Sequence, residues 1–214
     1  MKSLLVTSAL MAGLLPSTLL AEPLSFSGGV TVTSNYVADG LSQTDNGPAI
    51  QPYLEIGKDG LYAGAWASNL NDEAGNRAEL DLSLGYRGKT GSSLEYDLGY
   101  TQHFYDMVHD NSSEMAMSVG TPISDVFSVT GEVSYDLVER TFGTSVTVEA
   151  ALSDVWTAHA SLGRTDPTAS VNWAAGIAYS LSDQTKIDIA MQDTASTSPL
   201  FALSLNYAFG DASN

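Results

Sequence analysis

Carboxylates at every second position are the feature of this sequence that most directly implies chemistry. Glu79 and Asp81 form one such pair and Glu95 and Asp97 another, while Glu132 and Asp136 keep the same parity along a later segment. In an extended chain, residues two apart share a face, so these carboxylates would line one wall. Carboxylates along one wall give it a negative potential and can select passing ions by sign. Imidazoles are few. His103 and His109 stand near Asp106 and Asp110, a grouping that could hold a divalent metal or form an acid–base dyad, and His159 stands close to Ser161. The first reads better as a solvated polar loop. In the second, side chains at strand spacing point side by side rather than along a proton path. With no Cys, thiol catalysis and Cys-ligated zinc are excluded, and G-x-S-x-G, H-E-x-x-H and Gly-Lys-Ser/Thr motifs are absent. No catalytic residue, metal site or cofactor is expected, and the chain is not expected to be an enzyme.

Composition limits the partners. The 214 residues carry 25 Asp plus Glu against 8 Lys plus Arg, a formal net charge of −17, which argues against nucleic acid or an anionic lipid surface. At 43% hydrophobic the chain is too apolar for a disordered acidic tail. Met1-Lys2 and the apolar run Leu4 to Leu20, interrupted by Pro16, close on Ala21 ahead of Glu22-Pro23. This pattern predicts a secretory signal peptide over 1–21 and a single mature domain over 22–214. Beyond Ala21 no apolar stretch is long enough for a transmembrane helix.

The elements that must position the carboxylates follow from periodicity. In the last segment Phe201, Leu203, Leu205, Tyr207 and Phe209 alternate with Ala202, Ser204, Asn206 and Ala208. Leu80, Leu82, Leu84 and Tyr86 alternate likewise with Glu79, Asp81, Ser83 and Gly85, and Leu94, Tyr96, Leu98 and Tyr100 with Glu95, Asp97, Gly99 and Thr101. Such strict alternation is the signature of strands with one apolar face. Ser124-Asp125, Ser153-Asp154 and Ser182-Asp183 recur at equal intervals, each after an aliphatic residue, and read as tight turns; Lys58-Asp59-Gly60 and Gly88 to Gly91 extend the series. Longer polar connections alternate with them. The whole predicts an all-β fold: a transmembrane antiparallel up-and-down β-barrel of about 12 strands, with both ends on the short-turn side. Aromatic residues cluster near both strand ends. Phe26, Tyr86, Phe127, Trp156, Tyr179, Tyr207 and Phe209 are expected to face outward near the short turns, and Tyr36, Tyr100, Tyr135, Trp173 and Phe201 near the longer loops, as interfacial girdles require.

The first hairpin carries a resemblance. Ser34-Asn35-Tyr36, Gly40-Leu41-Ser42-Gln43-Thr44, Pro48-Ala49-Ile50-Gln51 and Gly60-Leu61-Tyr62-Ala63-Gly64-Ala65-Trp66-Ala67-Ser68-Asn69 occur in that order. This composite resembles the TorF-type porin family. The resemblance implies an outer-membrane barrel with porin function and no particular solute. Members typically have an Arg where this chain has Asp39, so no anion contact by that Arg carries over.

With the apolar face toward lipid, Glu55, Glu79, Asp81, Glu95, Asp97, Glu114, Glu132, Asp136, Glu149 and Asp188 point inward, against Arg77, Arg87 and Lys186. A Lys or Arg facing lipid costs roughly 2–4 kcal/mol at mid-membrane and a carboxylate somewhat less, so inward placement is favoured. These are the expected pore-lining residues, and their excess of negative charge predicts a cation preference. Gln43, Thr44, Asp45 and Asn46 lie in the loop between the first strands, which either folds inward as a constriction or caps the hairpin; Ala63, Gly64, Ala65 and Ala67 would permit its close approach. The expected function is an outer-membrane porin of a Gram-negative bacterium, passing small hydrophilic solutes or cations and inserted by the outer-membrane assembly machinery. The alternative is a closed structural or adhesive barrel without transport.

Overall fold

Alternating residues do build strands along nearly the whole described chain. The computed structural model describes residues 24–91, 93–107, 112–165, 171–194 and 198–210. The segment 1–21 expected to be a signal peptide, His109, Asp110 and residues 211–214 lie outside the described residues. The strands are β1 (Ser25–Thr33), β2 (Val37–Ala38), β3 (Leu41–Ser42), β4 (Ala49–Lys58), β5 (Leu61–Asn69), β6 (Ala78–Lys89), β7 (Glu95–Tyr105), β8 (Ser113–Pro122), β9 (Phe127–Asp136), β10 (Phe142–Ala151), β11 (Trp156–Thr165), β12 (Val171–Ser182), β13 (Thr185–Thr194) and β14 (Leu200–Gly210). All except β2 and β3 form one closed antiparallel barrel in sequential order, shut by β14 against β1. This is the expected fold of twelve strands, and among the described residues closure leaves the barrel sheet without an unpaired edge strand.

Local chemistry fixes the short turns. Asp59 and Gly60 both have positive φ, 52° and 85°, the backbone that a two-residue hairpin between twisted strands demands. At Ser124 and Ser153 the side-chain oxygen accepts hydrogen bonds from the backbone N–H groups two and three residues ahead, with Phe127 N at 3.0 Å and Trp156 N at 3.1 Å. The recurrent aliphatic-Ser-Asp motif is therefore a set of serine-closed turns. The third copy departs slightly, with a register shift between Ser180 and Ser182.

The outer surface is apolar. Leu82, Leu84 and Leu203 are 45%, 60% and 53% exposed, and similarly exposed leucines, valines and isoleucines recur around the wall. Monomeric water-soluble proteins rarely expose contiguous apolar surface on this scale, whereas a lipid-facing barrel requires it. Aromatic pairs meet across neighbouring strands near the ends, with ring centroids 4.7 Å apart for Trp156–Tyr179 and for Tyr135–Phe142.

Tyr36 does not join this outer set. It is 8% exposed and forms a buried apolar cluster with Ala38, Ala49 and Leu70, flanked by Trp66 and Tyr105. The reason is that β1 ends at Thr33, whose hydroxyl donates to the Asn35 carbonyl, so the chain leaves the wall before Tyr36 and strand parity no longer applies. Arg77 is also displaced from its expected inward position. It precedes β6 in an outer loop and is exposed. Ala63, Ala65 and Ala67 pair with outward leucines of β6, so only Gly64 of that group faces the interior.

Candidate functional site

The interior begins with the loop between β1 and β4, which folds inward. Its β2–β3 hairpin turns at Asp39 and Gly40, both with positive φ. Ser42 Oγ donates to Asn35 Oδ1 at 2.6 Å, Thr44 Oγ1 donates to the Gly47 carbonyl at 2.6 Å, and Tyr36 N donates to Thr44 Oγ1 at 3.1 Å. Of the residues expected to constrict, Gln43 and Thr44 are buried within the loop, where they hold its shape, and Asp45 and Asn46 are exposed. The residues by which the loop reaches the barrel walls are others, Tyr36 and Asp39.

The loop is tied to opposite sides of the barrel. On one side Tyr36 packs edge-on against Trp66, with centroids 5.7 Å apart, and its hydroxyl donates to Glu79 Oε2 at 3.4 Å. Tyr105 donates to the other Glu79 oxygen at 3.0 Å. On the far side Asn172 Nδ2 donates to Asp39 Oδ1 at 3.1 Å and Thr165 Oγ1 to Asp39 Oδ2 at 3.4 Å. Gly40 lies so close to β13 that a Cβ there would stand 2.6 Å from the Asp193 carbonyl carbon. The hairpin thereby touches β5 to β7 and β11 to β13, while β8 to β10 stand across from it.

Side-chain size divides the interior in the same way. From β4 to β7 the inward residues include Tyr53, Glu55, Tyr62, Trp66, Arg87 and Tyr105. From β9 to β12 they are mostly small: Ser128, Thr130, Ser134, Gly143, Ser145, Thr147, Ser161, Gly163, Ala174 and Gly176. Between the Asp39 tip and this second wall lies a small recess bordered by Glu132, Ser134, Ser145, Ser161 and Asn172.

The expected pore-lining charges fall into groups according to this division. Arg87 Nη2 meets Glu55 Oε2 at 2.7 Å and its Nε meets Asp97 Oδ2 at 3.4 Å. The guanidinium stacks 4.0 Å above the Tyr62 ring, and Tyr62 donates to Asp97 Oδ1 at 2.7 Å. Tyr62 lies across Gly85, where any side chain would collide with its hydroxyl. Glu95 pairs with Lys89, an interior cation that shares the parity of Arg87 and was legible in the sequence but overlooked. Glu79 and Asp81 are buried with His103, whose Nδ1 lies 2.8 Å from Asp81 Oδ1. These three place one donor atom each within 4.8 Å of one another, the geometry a divalent cation could use. His103 therefore belongs to the interior and not to a solvated loop; its parity with Asp97 and Thr101 carried that signal.

The remaining expected residues serve differently. Asp136 Oδ1 accepts from Val138 N and Glu139 N, capping the β9–β10 loop. Asp188 meets His159 Nε2 at 2.8 Å, and Glu149 stands opposite His159 in register. Lys186 lies on the interior face beside Ser180 and Asn206. Glu132 faces the recess. Glu114, Glu132 and Glu149 take part in none of these ion pairs. Asp106 sits in the outer loop, where backbone N–H groups of Arg77 and Ala78 donate to Oδ1 and hold its carboxyl below the usual carboxylate range.

Residues 19–213 match the family model described as "Bacterial protein of unknown function (Gcw_chp)". No curated protein matches the chain in sequence. Among solved structures, the KdgM porin aligns with a TM-score of 0.67 at 11% identity, covering 86% of this chain and 99% of that one. The KdgM porin in complex with disordered oligogalacturonate aligns at 0.66 and 8% identity over the same shares. The COG4313 outer membrane channel from Pseudomonas putida F1 aligns at 0.50 and 11% identity, covering 93% of this chain and 100% of that one. At these identities what is shared is the barrel fold.

Proposed function

The chain belongs to the Gcw_chp family, and from its closed barrel and polar interior we propose that it is an outer-membrane porin of a Gram-negative bacterium, a passive channel for small hydrophilic solutes with a preference for cations. The single observation that carries this reading is a closed barrel with an apolar outside and a polar, acidic inside that retains a recess past its inward loop. The TorF-type resemblance of the first hairpin points the same way. The solute of the KdgM complex does not transfer. Oligogalacturonate is a polyanion, and an interior with this excess of carboxylates repels such a chain.

Pairing refines the expected basis of selectivity. Arg87 and Lys89 offset two of the three charges of Glu55, Glu95 and Asp97, so the potential in the passage draws more heavily on carboxylates outside these pairs, among them Glu132, Glu149 and Glu114. In planar bilayers under a KCl gradient the reversal potential should have the sign of K⁺ selectivity, and it should shrink at higher salt as the wall charge is screened over roughly 10 Å at 0.1 M. Chloride selectivity would overturn the cation preference. The filled β4–β7 half and the inward loop favour a second reading, a closed structural barrel, which an absence of any conductance would support.

Membrane residence predicts a role for the last strand in recognition by the assembly machinery. Phe209 packs against Phe26, with centroids 6.2 Å apart, at the seam where β14 closes on β1. Phe209→Ala should lower the heat-modifiable, outer-membrane-inserted fraction severalfold in cell fractionation. Insertion equal to wild type would remove Phe209 from that role.

A further inference from the structure

Two carboxylates and an imidazole are buried together on the interior face of β6 and β7. Asp81 and His103 are direct cross-strand partners, and Glu79 lies two residues from Asp81 on the same face. The three side chains are at most 7% exposed, and His103 Nδ1 faces both acids, 2.8 Å from Asp81 Oδ1 and 3.8 Å from Glu79 Oε1. Both Glu79 oxygens accept from tyrosine hydroxyls, Tyr105 at 3.0 Å and Tyr36 at 3.4 Å, an arrangement that suits the ionised carboxylate. Among the described residues neither acid meets a Lys or Arg. Buried carboxylates need a compensating charge, and the ring supplies it badly. An imidazolium offsets only one of the two negative charges. It would also carry its second N–H on Nε2, which is buried with no hydrogen-bond partner among the described residues.

We propose that Glu79, Asp81 and His103 form a binding site for one divalent first-row transition-metal ion of the zinc kind. Such an ion balances both carboxylates at once. It takes the place of the proton between Nδ1 and Asp81, while the ring keeps its own proton on Nε2 and stays neutral, so no charged donor is left unpaired in a dry setting. Ligand atoms about 2.1 Å from a zinc ion stand about 3–4 Å from one another, the spacing that Nδ1 keeps to the two acids. Each Glu79 oxygen has a lone pair beyond the one its tyrosine uses, so the hydroxyls do not compete with the ion. They orient the ligand from outside. One imidazole nitrogen with two carboxylates favours zinc over calcium and magnesium, which take oxygen ligands. Uptake of the ion is independent of whether the barrel conducts.

The test is calorimetric titration of the detergent-folded barrel with zinc, on wild type, Asp81→Asn, His103→Gln, Tyr105→Phe and Asp125→Asn. The last lies in an exposed short turn and controls for loose binding to so acidic a chain. Heat-modifiable migration checks that each variant is folded. Wild type and Asp125→Asn should take up one ion per chain with equal affinity, and Asp81→Asn and His103→Gln should lose that uptake. Tyr105→Phe keeps every ligand and should weaken binding about 10–100-fold, so it decides the matter if the ligand variants fail to fold. A hundredfold excess of calcium or magnesium should leave the zinc in place. No saturable uptake by wild type, folded ligand variants that bind as wild type does, or unchanged affinity in Tyr105→Phe when only that variant folds would overturn the site. Displacement by calcium at equal concentration would overturn its assignment to zinc-like ions.

Discussion

Replacing residues 35–47 by a short Gly-Ser turn should raise single-channel conductance severalfold. The hairpin is anchored at Tyr36 on one side and at Asp39 on the other, so its removal clears the lumen between β5–β7 and β11–β13 in a single step. A milder change should act in the same direction. Gly40 has φ +74° and no space for a side chain against the Asp193 carbonyl, so Gly40→Ala must dislodge the tip. Its conductance should fall between wild type and the deletion, with larger fluctuations of the open level. Planar-bilayer recording of the three proteins in one salt decides the matter. Equal conductance for all three would mean that the hairpin does not limit flow.

The second large effect concerns the two faces of one strand. Val146, at the middle of β10, is 50% exposed on the outer surface, and its neighbour Thr147 faces inward between Thr130 and Ser161. Val146→Arg should destabilise the inserted barrel by about 2–4 kcal/mol, the cost of a guanidinium facing lipid near the bilayer midplane. Thr147→Arg introduces the same side chain into a hydrated, acidic interior with small neighbours and should leave stability nearly unchanged. Urea titration of barrels folded into lipid vesicles measures both. If the two variants unfold alike, lipid does not surround this face.

Much of the fold was legible because a barrel strand has a period of two and each face meets a different solvent. Leu80 to Tyr86 could not be misphased without burying Glu79 and Asp81 in hydrocarbon. The serine turns were equally plain, since the same short-range hydrogen bonds recur wherever the motif does. Tyr36 was misplaced because parity holds only while the chain stays in the wall, and nothing in Ser34-Asn35-Tyr36 marks the departure at Thr33. Facing was also easier to read than pairing. That Arg87 points inward follows from its strand alone, but its reach across β5 to Glu55 depends on barrel register. Asp39 was out of reach for a related reason: an Asp-Gly turn announces a hairpin, and only the closed barrel determines which distant strands that hairpin touches.

The unequal filling of the lumen bears on how sequences of this kind can diverge. The β4–β7 side behaves as a keel, where Tyr62 over Gly85, Arg87 over Tyr62, and the Glu79 contacts of Tyr36 and Tyr105 interlock, so one exchange there demands several others. The serine- and glycine-lined side behaves as a blank panel. Single changes at Thr147 or Ser161 meet small, neutral cross-strand neighbours, Thr130 and Ala174 among them, and the bore can be repainted there one residue at a time. Relatives would then share the keel and differ in the panel, keeping one architecture while exchanging one solute for another.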